Sequence, residues 1–69
     1  MTKHNPVWIV SILFRLDNEE NEDRLFTMDH LSELDGIVGA HADCGTIVNI
    51  VVMANEFAPL HVRKKLGVG

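Results

Sequence analysis

Cys44 is the only cysteine in a chain of 69 residues, and that combination limits how such a chain can become stable. A domain of this length buries only about 60% of the surface of its unfolded chain. A lone core below about 70–80 residues rarely supplies more than about 3–5 kcal/mol. Small domains make up the difference with disulfides, a metal or a partner. A single cysteine rules out an internal disulfide. No C-x-x-C or H-x-x-x-H spacing is present to hold a structural zinc. Self-association is the remaining expectation, most simply as a homodimer, and no cofactor is implied.

Hydrophobic residues make up 46% of the chain and charged residues 23%, which excludes a disordered polyelectrolyte. The expected organisation is a flexible tail over residues 1–6 and a single domain over 7–67. The apolar run Val7–Phe14 ends at Arg15 without a small-residue cleavage site, and it is too short to span a bilayer. It reads as a strand rather than as a leader or a membrane segment. The free thiol fits a reducing compartment, so a cytoplasmic location is expected.

In Val7–Leu16 one parity (Trp8, Val10, Ile12, Phe14, Leu16) is wholly apolar, which predicts a strand with one face buried. Asp17–Asp23 holds five acids, and Leu25, Met28, Leu31 and Leu34 then recur every three residues. This spacing predicts a helix from Asp17 or Asn18 to a stop at Gly36. A competing reading makes Asp17–Asp23 a loop, Arg24–Met28 a short hairpin strand and Asp29–Leu34 the helix. Ile37–Ala42 and Thr46–Ala54 read as a hairpin around Asp43-Cys44-Gly45. In that register Val38, Ala40, Ala42, Val48, Ile50 and Val52 share one face. A final helix is expected over Glu56–Leu66, capped by Asn55, with Pro59 in its first turn and Arg63, Lys64 and Lys65 near its negative end.

The order β-α-β-β-α predicts an α+β fold of split βαβ type. Its three-stranded antiparallel sheet would have Thr46–Ala54 in the middle and both helices on one face. In topology this resembles a truncated ferredoxin-like sheet lacking its fourth strand. ACT-type ligand-sensing modules and dimeric α+β barrels share that topology, so the resemblance implies a pocket between subunits as an alternative function. Fold alone does not transfer function.

On such a sheet the uncovered face would present Ile9, Leu13, Ile37, Ile47, Val51 and Met53, an apolar patch suited to an interface. The first strand would offer a free edge. Ser11, His41 and Asn49 are the polar residues on that face and the candidates for contacting a small molecule between subunits. Glu19, Glu20, Glu22 and Asp23 are candidates for docking a basic protein through an acidic helix. His41, Asp43 and Cys44 supply a base, an acid and a nucleophile in adjacent positions, but sequence adjacency gives no convergence and no oxyanion site is identifiable. Arg63, Lys64 and Lys65 on an acidic chain are weak support for nucleic-acid binding, since the helix dipole accounts for them. The reading is a small self-associating interaction module that acts as a regulator or inhibitor and not as an enzyme.

Overall fold

The computed structural model describes residues 5–67. Most of the expected N-terminal tail, residues 1–4, lies outside the described residues. The chain forms an α+β fold: β1 (Trp8–Arg15), β2 (Asn21–Met28), α1 (Leu34–Ala40), β3 (Thr46–Ala54) and α2 (Leu60–Leu66). Short 3-10 turns occupy Leu31–Glu33, Ala42–Cys44 and Asn55–Phe57. The sheet is three-stranded and antiparallel, in the order β2-β1-β3.

This order corrects the expected one. The centre is β1, not Thr46–Ala54, and the elements run β-β-α-β-α rather than β-α-β-β-α. The long helix over the acidic segment is replaced by a hairpin. The Leu16 N–H donates to the Glu20 carbonyl (2.8 Å) and the Glu19 N–H to the Leu16 carbonyl (2.9 Å). Asn18 Oδ1 accepts from the Glu20 N–H (3.1 Å), the local side-chain bond by which Asn favours turns. Glu19 takes a left-handed φ of 68° to close the turn. The competing reading, loop then strand, describes this segment better, although β2 begins at Asn21 rather than Arg24. Burial explains why a strand wins. Pairing with β1 sets Met28 opposite Trp8 and Phe26 opposite Val10, on the face that becomes the core.

Ile37–Ala42 is likewise not a strand. Leu34, Ile37, Val38 and His41 fall at i, i+3, i+4 and i+7, one stripe of a helix. Leu34, Ile37 and Val38 pack against the buried cluster of Val10, Ile12, Phe14 and Met28. The turn entering this helix is held by Glu33. Its Oε2 accepts the N–H groups of Asp29 and His30, both at 2.8 Å, in a capping-box arrangement.

The last helix is shorter than expected. Asn55–Phe57 forms a separate 3-10 turn, and α2 begins after Pro59. Pro59 stands at the N-cap, where its missing N–H costs nothing. Leu66, at the far end of α2, shares a cleft with Pro6, Met28 and Ile37. Ile9 has the opposite parity from the core cluster and is also fully buried, outside that cluster. The second face of the sheet is therefore covered where Ile9 lies and is not bare along its whole length.

Gly45 joins the Ala42–Cys44 turn to β3 with φ of +154°, and a Cβ there would lie 2.5 Å from the Arg15 carbonyl oxygen. Gly36, inside α1, has nothing within 4 Å of its would-be Cβ. Gly45→Ala is expected to destabilise the fold by about 1–3 kcal/mol through the clash and the strained φ. Gly36→Ala should stabilise it by up to about 1 kcal/mol through helix propensity. Glu33→Ala should cost about 1 kcal/mol by leaving two N–H groups uncapped. Urea unfolding of the three variants against the parent checks all three signs.

Candidate functional site

The two edges of the sheet differ in chemistry. β2 carries Glu22, Asp23 and Arg24 along its first half, and charged side chains protect a strand edge from adding another strand. β3, with sequence TIVNIVVMA, has no charged residue. Its only strand partner among the described residues is β1. Val48, Ile50, Val51 and Val52 are 37–49% exposed. Ile50 and Val52 sit opposite Ile12 and Val10 on the core side, whereas Val51 sits opposite Ser11 on the other. Both faces of this edge are thus apolar and partly open.

A register shift interrupts the strand. Leu13 pairs with Asn49 but Phe14 pairs with Ile47, so Val48 is the extra residue of a bulge. The bulge reverses side-chain parity. Ile47 turns inward and packs on the core cluster, and Val48 turns outward. The regular part of the open edge is therefore Asn49–Ala54.

The other interface candidates are distributed as follows. Ile9 is fully enclosed, and Ile37 lies on α1 against the core. Leu13 and Met53 are half-buried, while Val51 is open. Ser11, His41 and Asn49 do not converge. Ser11 Oγ donates to Asp23 Oδ1 at 2.6 Å, on the face that also presents Asn49. His41 lies beyond the opposite face. Its ring rests on Phe26 with centroids 4.5 Å apart, and its Nδ1–H donates to the Ile37 carbonyl (2.8 Å).

The acidic segment lies on the hairpin turn and β2, not on a helix. Glu19 and Glu20 stand exposed in the turn, Asp23 holds Ser11, and Glu22 is paired. Both Nε and Nη2 of Arg24 donate to Glu22 Oε2 at 2.7 Å. Arg24 Nη1 donates to Cys44 Sγ at 3.2 Å, and the guanidinium stands 5.7 Å from the centre of the Phe14 ring. The hydrogen bond and charge of Glu22, followed by Cys44, hold the Arg24 pKa above its ordinary value. Sequence reading gave Arg24 no role, because its partners come from β1, from its own strand and from the turn before β3.

Among the described residues, no three or more His, Cys, Asp or Glu side chains gather as a metal site. No helix of the described residues is long and apolar enough to cross a membrane. The chain matches no protein-family model, no curated protein sequence and no solved structure.

Because His41 and Asn49 lie on opposite sides of the sheet, His41→Ala and Asn49→Ala should be independent. Their effects on unfolding free energy are expected to add within about 0.5 kcal/mol in the double variant. A larger coupling energy would mean that the two side chains share a site.

Proposed function

We propose that this chain is a non-enzymatic, self-associating interaction module, joined through β3 to β3 of a second copy. The supporting observation is the uncharged edge strand with Ile50, Val51 and Val52 open on both faces. An unprotected apolar edge pairs readily with another strand. An antiparallel arrangement about a two-fold axis at Val51 would set Val51 against its own copy and Ile50 against Val52. The aliphatic pairs are the kind that stabilise a ladder. Two three-stranded sheets would become one of six strands, and the pairing would supply the stability that a chain of this size lacks.

A module of this kind acts as a regulator or inhibitor, by occupying or releasing a strand edge. The carboxylates of Glu19 and Glu20, exposed on the hairpin turn, are the surface it would offer to a basic protein partner. They lie beyond the Arg15 end of β1, away from the Val51 axis.

Light scattering across a dilution series tests the pairing. The parent is expected at twice the chain mass in the micromolar range. Val51→Lys places like charges opposite each other at the axis and should weaken association by about tenfold or more. Val51 is exposed, so the variant's circular dichroism should match the parent. A parent that stays monomeric at high micromolar concentration, or a Val51→Lys variant that associates as well as the parent, would refute the proposal.

A further inference from the structure

Asn55 and Ala58 turn inward where the chain leaves β3, at 9% and 5% exposed. The Ala58 N–H donates to the Asn55 carbonyl at 3.1 Å and closes the Asn55–Phe57 turn. Ala58 and Pro59 are then extended, and α2 starts at Leu60. With Asn55 and Ala58 fixed inside, Phe57 is left outside at 81% exposed and Leu60 follows at 59%. Phe57 is the most open large apolar side chain among the described residues. A phenylalanine and a leucine withheld from so small a core mark a surface made for another contact.

α2 continues that surface. Val62 and Leu66, four residues apart, are half-buried, and Leu66 lines a cleft with Met28 and Ile37. Leu60, His61 and Lys64 fall on the opposite side of the helix, with Lys65 beside them, and all four are exposed. Arg63 and Glu56 line one cleft beside Trp8 with opposite charges. The outward excess of charge is therefore that of Lys64 and Lys65.

These side chains fit one kind of partner. Phe57 and Leu60 line neither the cleft beside Trp8 nor the one that holds Leu66, so they project rather than enclose. A protein would have to bring a groove shaped to them. A phosphate backbone would use the lysines and leave Leu60 without a role. An anionic bilayer uses both kinds of group, because its headgroups attract cations and its acyl boundary accepts aromatic and aliphatic side chains of any shape.

The chain's formal charge of −4 does not oppose this, because of where the acids lie. Ala54 pairs with Trp8, and Leu66 shares its cleft with Met28, the other partner of Trp8, so α2 stays at the Trp8 end of the sheet. The hairpin turn with Glu19 and Glu20 lies beyond the Arg15 end. Asp29 and Glu33 line the cleft on the inward side of Leu66. At physiological salt, charges farther apart than about 8 Å are largely screened.

We propose that the surface of Phe57, Leu60, Lys64 and Lys65 docks reversibly on an anionic lipid bilayer. Phe57 and Leu60 enter the boundary between headgroups and acyl chains, and the two lysines meet the anionic headgroups. The surface does not depend on the pairing of β3.

Two apolar side chains and two cations hold more weakly than a single myristoyl chain, whose binding constant is about 10⁴ M⁻¹. The full chain is therefore sedimented with phosphatidylcholine vesicles at lipid concentrations up to about 5 mM, with or without phosphatidylserine. The vesicles with phosphatidylserine should bind it about fivefold more tightly or better, and added salt should reduce that advantage. Lys64→Gln with Lys65→Gln should weaken binding to them by about tenfold. Phe57→Ser with Leu60→Ser should weaken it by a similar factor. All four side chains are exposed, so the circular dichroism of both variants should match the parent. No binding at the highest lipid concentration, or equal binding to both kinds of vesicle, would overturn the proposal. Binding that survives loss of Phe57 and Leu60 would mark a general polyanion surface, and binding that survives loss of the lysines would mark a purely apolar one; either would overturn it. Light scattering on the lipid-free samples reports the pairing of β3 separately. A lower mass for the Phe57→Ser, Leu60→Ser variant than for the parent would mean that a second copy covers these side chains, and would also overturn it.

Discussion

Val10, Ile12 and Phe14 are fully buried because β1 has a strand on each side and α1 across one face. β2, β3 and α1 take their positions from that strand. β2 returns along one edge through a tight turn, placing Phe26 and Met28 beside the alternating core residues of β1. The Leu34, Ile37 and Val38 stripe of α1 closes over them. β3 then runs along the second edge, and Gly45 lets the chain pass close to the Arg15 carbonyl as it begins. The core is small because it is built around one strand.

A sheet with one interior strand has two edges, and this chain treats them differently. On β2 the charged residues remain within the fold's own bonding, with Asp23 on Ser11 and Glu22 on Arg24. β3 has Ile47, Asn49 and Ile50 in the equivalent places, none of them charged, and only a bulge at Val48 to limit its pairing. The imbalance underlies the proposed self-association, since charged side chains protect one edge from strand addition and the other edge has none.

Much of this was legible in the residues. The alternation of Trp8, Val10, Ile12 and Phe14 located β1 and its buried face, and Thr46–Ala54 was bounded correctly as a strand. Its high apolar content suggested the centre of the sheet, but centrality follows from which strands pair, and composition does not report that. The spacing of Leu25, Met28, Leu31 and Leu34 resembled a helix, although the first two lie on opposite faces of β2 and the last two belong to the next elements. Leu34, Ile37, Val38 and His41 carried a true helical stripe, obscured by the β-branched pair Ile37-Val38 and by a turn-like Asp-Cys-Gly. The bulge at Val48, which turns Ile47 into the core, leaves no mark in a pattern of consecutive aliphatic residues. The polar candidates fared differently for a related reason. Ser11 and Asn49 kept their common face because their strands did, and His41 moved away when its strand became a helix.

Residue-resolved hydrogen exchange at two protein concentrations tests most directly whether β1 is the one completed strand and β3 the unfinished edge. The amides of Ile9–Phe14 should exchange slowest and be indifferent to concentration. The amides of Asn49–Met53 that face away from β1 should gain protection as concentration rises. Outward β3 amides that exchange freely at both concentrations, or β1 amides no slower than those of the two edges, would contradict it.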